Sequence, residues 1–532
     1  MDKYLQTFAS FLMILSWYAL LLTSIKNTLH MFQQNRYELR RYFPWLVGEF
    51  KYQSVHSRLW MVITLIYSVL SIIAHFSTLL APAMTIGVNL ALAIYLHYQD
   101  RSIVKIKPLV FTNRVKRQAV VMFVFMTLVL MMIWPSNWNL RIIATPLMML
   151  STWFMMFVVA LVTSPFERMV KQSFIQQAKS ILKHQPNLIK IGITGSYGKT
   201  STKNILNEVL SESFYTLASP ASFNTPMGLT ITIREHLKSV HQVFIAEMGA
   251  DKVGEIEYLS RFIQPKIGII TSIGPQHLNT FKTIENIIKE KMRLAENLPS
   301  DGLAVLNMDN EYIRNYSLKN KCEILSYGID QDADVMAKNI EVSPNGSSFN
   351  VVYQDQSFPF KTRLLGKHNI ANILSAICVG IYLGINMETL QKAVAQVNYV
   401  EHRLQLKTIN GFQYIDNAFN SNPEGSKMSL DVLALMPGHR TIITPGMIDL
   451  GHKQNEYNKA FGAYMKGRAD TVLLIGQTQT LAIFEGLKES GFDMNQVKVF
   501  DKVRQAFDYI ERHASRTDVT LLENDLPDAF NR

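Results

Sequence analysis

Residues 192–203 read Gly-Ile-Thr-Gly-Ser-Tyr-Gly-Lys-Thr-Ser-Thr-Lys, between an apolar run at Leu188–Ile193 and a helical pattern at Asn204–Leu210. A glycine-rich turn between a strand and a helix directs backbone N–H groups and a helix N-terminus at an anion. Lys199 adds a mobile positive charge, and the Thr200 hydroxyl is a typical ligand of Mg²⁺ beside phosphates. The stretch therefore predicts a nucleoside triphosphate site in an α/β domain.

The spacing of this phosphate loop is GxxGxxGKT, because Ile193 stands where the strict GxxxxGK[ST] pattern has a glycine. The strand-to-helix context and the intact Gly-Lys-Thr argue against a chance cluster of glycines. The candidate nucleotide contacts within the loop are Gly195, Ser196, Gly198, Lys199, Thr200 and Ser201.

From residue 188 onward, strand-like runs alternate with helical patterns, which predicts a mostly parallel sheet covered by helices on both faces. Alternating runs at 338–364 around Asn345-Gly346 predict a hairpin within this domain. After a helical region at His368–Val397, a second α/β set begins near Leu404 and predicts a smaller Rossmann-like domain. The predicted strands are Leu188–Ile193, Val243–Ala246, Ile267–Thr271, Leu303–Leu306, Gln413–Ile415, Thr441–Thr444, Thr471–Ile475 and Val519–Leu522.

The net charge of +11 over 532 residues is concentrated in the N-terminal third. Residues 1–188 hold 18 Lys and Arg against 5 Asp and Glu, which leaves 35 against 37 in the remainder. The α/β part therefore has no basic excess, and we expect no nucleic-acid surface on it. Cys322 and Cys378 are far apart and predict neither a disulfide framework nor a metal site.

Five apolar stretches, at about 7–25, 59–77, 79–97, 119–134 and 142–162, predict membrane-spanning helices. None contains Asp, Glu, Lys or Arg, the groups that ion and proton pathways usually need, so transport through them is disfavoured.

Two loops, 26–58 and 98–118, hold most of the basic residues between the spans. The positive-inside rule places both loops in the cytoplasm, with the N-terminus outside and the residues after 163 inside. An odd number of spans also delivers the phosphate loop to the compartment that contains ATP. We therefore expect a multi-pass protein of the bacterial plasma membrane, with a basic amphipathic linker helix at 166–186.

Three further residues are candidates for the same site. Glu247 ends the apolar strand Val243–Ala246, and a carboxylate there can hold Mg²⁺ against a triphosphate. His277 follows the strand Ile267–Thr271, and Lys291 lies on the next predicted helix. Taken singly, a structural histidine and a solvated lysine are the commoner interpretations of the last two.

Taken together, these residues resemble the Mur ligases, bacterial enzymes that join an amine to a carboxylate with ATP, and most of all the branch that adds D-alanyl-D-alanine to a muramoyl peptide. The resemblance spans residues 188–460, in ordered motifs. These are the phosphate loop, Asn224-Thr225-Pro226-Met227-Gly228, Glu247-Met248-Gly249-Ala250, His277-Leu278, Lys291, Gly366-Lys367-His368-Asn369 with Asn372, Arg403, and Asp416-Asn417-Ala418-Phe419-Asn420-Ser421-Asn422-Pro423.

The resemblance implies a role for each matched residue. Thr200 and Glu247 would hold one Mg²⁺, and His277 with a carbamylated Lys291 would hold a second. Asn369 would lie near the adenine, Asp416 would contact the nucleotide, and Arg403 would reach the γ-phosphate. The catalytic residues implied are Lys199, His277, Lys291 and Arg403.

The chain also departs from the family pattern. The membrane domain stands where the family has its uridine-nucleotide-binding domain, and Asn417 and Phe419 replace an Asp and a Tyr. Residues 444–451 match the corresponding family segment only in part. Leu521–Asp528 stands where the family has a Lys-Gly-Ser-Arg-like segment. Within it, Glu523, Asp525 and Asp528 predict either a contact with a cationic amine donor or a solvated loop.

We therefore expect a transmembrane domain (1–165), the linker helix (166–186), a central ATP-binding domain (187–400) and a C-terminal domain (401–532). The function expected is a membrane-embedded ligase that uses ATP and Mg²⁺ to join an amino acid or amine to a membrane-bound, lipid-linked carboxylate acceptor of the cell envelope, through an acyl phosphate. The spans would contact membrane lipids and either bind the acceptor or only anchor the enzyme. The alternatives are a membrane P-loop ATPase that drives transport or conformational change, and a catalytically inactive scaffold.

Overall fold

The computed structural model describes residues 2–49, 55–76, 80–102, 108–134, 136–418, 422–448, 450 and 453–524. The chain divides into two compact units, Met1–Gln172 and Ser173–Arg532, called here the helical unit and the α/β unit.

The described part of each of the five apolar stretches lies in a separate long helix, apart from Trp134, which follows one of them. Four helices contain segments long and apolar enough to cross a membrane, and the described apolar part of the remaining one, Met61–Ala74, is shorter. Leu39–Glu49 is a helix that the sequence did not predict, because basic residues and Pro44 interrupt its pattern. The helices are α1 (Asp2–Gln34), α2 (Leu39–Glu49), α3 (Val55–Phe76), α4 (Leu80–Ser102), α5 (Asn113–Ile133) and α6 (Trp138–Lys183). Of the basic residues used for orientation, Lys51, Lys105 and Lys107 lie outside the described residues.

Small polar side chains join the helices of the helical unit. Trp17 Nε1 donates to Thr145 Oγ1 at 2.7 Å, and Asn89 Nδ2 donates to Ser16 Oγ at 2.9 Å. The outer surface is apolar instead, with exposures of 69% for Ile94 and 83% for Met132. Polar contacts inside and apolar side chains outside are the arrangement that a lipid environment favours.

Helix α6 runs without a break from Trp138 to Lys183, so the predicted last span and most of the predicted linker form one helix. Within the α/β unit, its final turns bury Ile175, Ala178 and Leu182 against that unit's core.

A nine-stranded sheet organises the first part of the α/β unit, in the order β2-β3-β1-β4-β5-β6-β7-β8-β9. The strands from β2 to β7 are parallel, and β7, β8 and β9 form antiparallel hairpins, the first at the predicted Asn345-Gly346 turn. Its elements are β1 (Ile189–Thr194), α7 (Lys199–Ser211), β2 (Thr216–Ala218), α8 (Pro226–Glu235), β3 (Val243–Glu247), α9 (Glu255–Ile263), β4 (Ile267–Ile270), α10 (Leu278–Phe281), α11 (Ile284–Glu296), β5 (Leu303–Asn307), α12 (Glu311–Arg314), β6 (Glu323–Gly328), β7 (Val335–Ser343), β8 (Gly346–Tyr353), β9 (Gln356–Thr362), α13 (Lys367–Tyr382) and α14 (Met387–Gln396).

The strand order reverses at β1, since β3 and β2 lie on one side of it and β4 on the other. Ligands of open α/β sheets bind beyond the carboxyl ends of the strands at such a switch point. The strands β1, β3 and β4 are buried apolar runs, covered on one face by α7 and α13 and on the other by α9 and α11. The fold therefore places the phosphate loop at the switch point.

A second sheet of six strands forms the C-terminal part, in the order β10-β11-β15-β12-β13-β14. All its neighbours pair in parallel except β10 and β11, which form an antiparallel hairpin. The elements are β10 (Gln405–Ile409), β11 (Phe412–Asn417), α15 (Pro423–Ala434), β12 (Arg440–Thr444), α16 (Gln454–Tyr464), β13 (Thr471–Ile475), α17 (Leu481–Glu489), β14 (Val497–Phe500), α18 (Val503–His513) and β15 (Val519–Glu523).

Candidate functional site

The segment that follows β4 holds Gly195–Gly198, the turn of the phosphate loop, in place through hydrogen bonds. Ser196 N–H donates to the Ser272 carbonyl at 2.6 Å, and Ser196 Oγ donates to the Gly274 carbonyl at 3.0 Å. Gly195 has φ +155°, and a Cβ there would collide with the Thr271 hydroxyl. The backbone path therefore requires glycine and a close approach to residues 271–274.

The N-terminus of α7 opens onto this loop. Gly198, with φ +83°, precedes the first helical residue and supplies no side-chain cap, so the first N–H groups of the helix point at the loop. Lys199 Nζ donates to the carbonyls of Gly195 at 2.6 Å and Ser196 at 3.0 Å. Burial lowers the pKa of Lys199 to about 8, and the nearby Glu247 carboxylate opposes that shift. The loop thus combines backbone donors with a partly buried cationic side chain, which suits a phosphate.

Glu247, at the carboxyl end of β3, is 1% exposed and lies directly beside the loop. Its Oε1 accepts from Thr200 Oγ1 at 3.2 Å and from Asn224 Nδ2 at 3.1 Å. Its Oε2 lies 3.3 Å from Lys203 Nζ, an equally buried cation. The sequence had suggested Glu247 and Thr200 but gave no role to Lys203, which the structure makes the counter-ion of the carboxylate.

The Thr200–Glu247 pair has the chemistry of a Mg²⁺ site. The hydroxyl and carboxylate oxygens lie together, and Glu247 Oε2, although ion-paired with Lys203, makes no hydrogen bond of good geometry. The described residues contain no group of three or more His, Cys, Asp or Glu that would hold a metal alone. Magnesium bound with nucleotide normally takes one or two protein oxygens and completes its shell with phosphates and water. The pair fits that pattern.

Lys291 and His277 meet the same turn after β3. Lys291 is 2% exposed, and its Nζ donates to the Ala250 carbonyl at 3.3 Å. His277 Nε2 lies 3.3 Å from Asp251 Oδ1, and its left-handed backbone begins α10. Burial lowers the pKa of Lys291 to about 7, with a further contribution from the Lys199 cation. The structure thus buries the lysine that the sequence alone would have left in solvent.

Arg403 precedes β10 and acts electrostatically on the phosphate loop. Burial lowers the pKa of Arg403, and Glu247 opposes the shift. The same guanidinium lowers the pKa of Lys199, so the two cations are close enough to interact. Lys199, Thr200, Glu247, Lys291 and Arg403 therefore share one electrostatic environment.

Asp416 and Asn369 are occupied by neighbours within their own parts of the fold. Asp416 accepts from Lys407 Nζ at 2.6 Å and from His402 Nδ1 at 2.8 Å. Burial would raise the pKa of Asp416, but these hydrogen bonds and one from the Ala418 N–H hold it below its usual value. Asn369 Nδ2 donates to the Leu365 carbonyl at 2.9 Å.

The Asn372 amide, by contrast, joins the start of α13 to the phosphate-loop helix. Its Oδ1 accepts from Thr202 Oγ1 at 3.0 Å.

For Glu523 alone, the structure corrects the expectation that the acidic segment contacts solvent or an amine donor. Glu523 is fully buried at the end of β15, where Ser426, Ser429 and Asn417 donate to it at 2.9, 2.7 and 2.7 Å. The carboxylate is therefore satisfied inside the protein. Phe419, Asn420, Ser421, Asp449, Gly451, Asp525, Leu526, Pro527 and Asp528, which belong to motifs discussed above, lie outside the described residues.

Comparison with known protein families gives two matches. Residues 193–380 match the Mur ligase middle domain, and residues 402–523 match the domain described as "Mur ligase, glutamate ligase domain". Together the two matches include the strands of both sheets except most of β1, and they contain the site residues from Gly195 to Asn372 and Arg403.

Similar curated proteins carry the name UDP-N-acetylmuramoyl-tripeptide--D-alanyl-D-alanine ligase. The protein of Bacillus subtilis is 28% identical over 353 residues, 65% of this chain and 75% of that protein. Those of Buchnera aphidicola (strain Bp) and Escherichia coli are 29% and 26% identical, over 53% and 56% of this chain and 62% and 67% of theirs.

Two solved structures have the same fold over the α/β part. MurF from Acinetobacter baumannii superposes with a TM-score of 0.60 at 24% identity, covering 66% of this chain and 77% of that one. MurF from Thermotoga maritima, in complex with ADP, gives a TM-score of 0.61 at 22% identity, covering 67% and 80%.

Proposed function

Because this chain belongs to the Mur ligase family through its middle and C-terminal domains, we propose that it is a membrane-embedded, ATP-dependent carboxylate–amine ligase. Members of that family are ATP-dependent amide ligases. The substrates proposed are an amino acid or amine and a carboxylate on a membrane-bound acceptor of the bacterial cell envelope.

One observation carries the proposal: the phosphate loop, the Thr200–Glu247 oxygen pair and two partly buried cations, Lys199 and Arg403, occupy one site. Transfer of a phosphoryl group from ATP to a carboxylate brings two anions together, and the main catalytic task is to offset their repulsion. Lys199 and the N–H groups of α7 would bind the phosphates, and Arg403 would lie against the transferred group. Thr200 and Glu247 would hold Mg²⁺, which would supply further positive charge at the site.

The reaction proposed has two steps. The acceptor carboxylate attacks the γ-phosphorus of ATP, which forms an acyl phosphate and releases ADP. The donor amine then attacks the acyl carbon, inorganic phosphate leaves, and the amine loses a proton. The C-terminal part, which carries Arg403, would exclude the water that otherwise hydrolyses the acyl phosphate.

Lys291 and His277 are proposed to hold a second Mg²⁺, with Lys291 carbamylated. A carbamate forms when a neutral amine adds to carbon dioxide and loses a proton, and burial favours the neutral amine of Lys291 by lowering its pKa to about 7. Carbamylation would replace a buried cation, which would repel Mg²⁺, by an anionic ligand for it.

A membrane-bound acceptor is proposed because a helical unit with an apolar outer surface precedes the ligase domains. The basic loops support an N-terminus outside the plasma membrane and catalytic domains in the cytoplasm, where ATP is available. A lipid-linked carboxylate would then remain within reach of a membrane-held enzyme.

The test is comparative mass spectrometry of lipid and envelope extracts from cells with the native protein and with Lys199→Ala. Removing a preorganised charge of this kind lowers rates by about 10²–10³-fold. We expect one product to disappear and a precursor lighter by one aminoacyl residue to accumulate. If no such pair exists although the native protein turns over ATP in the membrane, the ligase proposal is wrong and a membrane P-loop ATPase is favoured. Full turnover of a soluble UDP-muramoyl peptide by the α/β part alone would refute the membrane-bound acceptor.

A further inference from the structure

A cavity of about 370 Å³ lies inside the helical unit, between the start of α5, the α1–α2 connection and the later part of α6. Arg114 on α5 and Glu167, Arg168 and Lys171 on α6 supply its charged wall. In the orientation that the positive-inside rule gives, these three segments lie at the cytoplasmic surface of the membrane. The volume is within the range of small-ligand sites.

The single carboxylate of the cavity is already neutralised. Arg117 donates to both oxygens of Glu167, from Nε to Oε1 and from Nη2 to Oε2, each at 2.9 Å. Such a bidentate pair satisfies the carboxylate and leaves little negative charge to compensate the other cations of the cavity.

Arg114 is held in the wall without a full partner for its guanidinium. Its Nε lies 3.9 Å from Glu167 Oε2, beyond hydrogen-bond distance, and is a buried atom with no hydrogen-bond acceptor among the described residues. The guanidinium lies 4.2 Å from the centre of the Tyr37 ring, which fixes its position. A buried N–H of a cation without an acceptor is costly unless a ligand provides one.

Arg168 and Lys171 add two exposed positive charges to the same cavity. Within the described part of the chain, neither has an ion-pair partner. Three cations therefore line a cavity whose carboxylate is satisfied, and basic pockets between membrane helices at the cytoplasmic side bind anionic headgroups.

The cavity wall also contains apolar residues, and they continue onto the outside of the helical unit. Leu161 lines the cavity and is 66% exposed, and the adjacent Val162 is 55% exposed. A soluble anion would contact only the cations. A lipid would place its phosphate beside the cations and its chain along the apolar helix face.

We propose that this cavity binds the phosphate or diphosphate headgroup of a membrane lipid, with the lipid chain along α6. The inference rests on the proposed function in one respect, since both take the helical unit as a membrane domain with its basic loops in the cytoplasm. It adds that an acceptor lipid would carry a phosphoryl group next to the membrane surface.

The test is native mass spectrometry of the full chain in detergent, titrated with phosphatidic acid or with phosphatidylcholine. We expect retention of phosphatidic acid in preference to phosphatidylcholine. The double variant Arg168→Gln/Lys171→Gln should weaken that retention roughly tenfold or more, because juxtamembrane basic side chains each contribute appreciably to anionic-lipid binding. The control Arg40→Gln/Lys116→Gln removes the same charge from exposed residues outside the cavity and should change it less than about twofold.

Equal loss in the two double variants, or no preference for phosphatidic acid, would overturn the site. Displacement of the lipid by inorganic pyrophosphate at equal concentration would show a soluble-anion site and overturn the lipid assignment. The readout needs no ligase activity, so the two proposals fail separately. Lipid binding in the absence of any ligation would remove only the proposed function, and ligation with unchanged lipid binding in the cavity variant would remove only the headgroup site.

Discussion

At the scale of single residues, the site depends on how Glu247 is held. Thr200, Asn224 and Lys203 surround a carboxylate that is almost completely buried. A buried carboxylate is stable only when its charge is compensated, and removal of one partner leaves the other charge uncompensated. Lys203 is therefore a positioning residue for the proposed metal ligand.

Lys203→Met should lower the stability of the α/β unit by about 3–5 kcal/mol, the usual cost of breaking a buried ion pair. Thermal unfolding of the full chain in detergent measures the effect. Lys252→Met, which removes an exposed lysine near the same site, is the matched control and should change stability by less than about 0.5 kcal/mol. Equal unfolding temperatures for the two variants would contradict the role of Lys203.

His368 predicts a pH dependence in the acidic range. Burial, with a smaller contribution from the Arg403 cation, lowers the pKa of His368 from the ordinary 6.5 to about 4. The unfolded chain therefore takes up a proton that the folded chain refuses, and stability falls as pH decreases from 6.5 towards 4.

His368→Gln should remove part of this loss, so the unfolding temperatures of the variant and the native protein should approach each other, or cross, on acidification through that window. Exposed His236→Gln is the control, and its difference from the native protein should stay constant. A difference between His368→Gln and the native protein that does not vary with pH would contradict the burial argument.

At the scale of elements, the phosphate loop is fixed by contact as well as by conformation. A Cβ on Gly195 would lie 2.9 Å from the Ser272 carbonyl oxygen, an atom of the backbone that cannot move aside easily. Gly384, at the end of α13, has φ +77° but open space around the same position.

Gly195→Ala should therefore abolish nucleotide binding and destabilise the loop, since strain and collision combine. Gly384→Ala separates the two causes, because it introduces backbone strain of about 1–2 kcal/mol without a collision and should leave ATP binding intact. Calorimetric titration with ATP and Mg²⁺ measures both. Normal ATP affinity in Gly195→Ala would mean that the loop does not bind phosphate in this conformation.

In the C-terminal sheet, two residues at which this chain departs from the family pattern are hydrogen-bonded to each other. Asn417 ends β11, Glu523 ends the adjacent β15, and their side chains are 2.7 Å apart. Ser426 and Ser429 on α15 complete the carboxylate's hydrogen bonds. The two changes are thus complementary, and the contact ties two strands to one helix.

Glu523→Gln should lower stability by roughly 1–3 kcal/mol, because one amide group cannot accept all three hydrogen bonds and places its own donors in a buried site. Asn417→Asp should lower stability by a similar amount, since it places a second carboxylate against that of Glu523. Thermal unfolding of the full chain in detergent measures both effects. The double variant Asn417→Asp/Glu523→Gln should recover part of the lost stability through a new donor–acceptor pair. A preference for another amine donor with unchanged stability would instead assign Glu523 to substrate binding.

The elements were predictable to different degrees, for physical reasons. Buried parallel strands such as Thr471–Ile475 are continuous apolar runs and were placed almost to the residue. β2, β6, β10 and β14 were not predicted, because they are short or partly exposed and lack such runs. The predicted helical region His368–Val397 contains two helices, α13 and α14, with Gly384 between them.

The sequence predicted the site residues that lie at the ends of neighbouring strands. It did not predict which side chains pair with each other inside the protein. Thr200 and Glu247 follow β1 and close β3, and adjacent parallel strands bring their carboxyl ends together. The burial of Lys291, the pairing of Lys203 and the hydrogen bonds of Glu523 depend on packing between distant segments. A sequence pattern does not specify which of several lysines on a helix becomes the counter-ion.

At the scale of the whole molecule, the two units differ in the chemistry of their surfaces. The helical unit exposes Leu65, Ile94, Met132 and Leu161 by 66% or more, while its polar side chains bond to each other inside. The α/β unit has the ordinary arrangement of an apolar core beneath polar side chains. This difference supports a membrane location for the first unit, and its orientation makes a separate prediction.

The proposed topology has five crossings, with the start of α5 inside the cell and the α5–α6 connection outside. A membrane-impermeant maleimide should therefore label Asn137→Cys on intact cells, and Lys116→Cys only after the cells are permeabilised. Both positions are exposed on the protein, so access depends on the side of the membrane. The native cysteines, Cys322 and Cys378, are buried in the α/β unit and should give little background. Labelling of Lys116→Cys on intact cells, with protection of Asn137→Cys, would put the phosphate loop outside the cell, where ATP is scarce, and would contradict both the orientation and the reaction proposed for it.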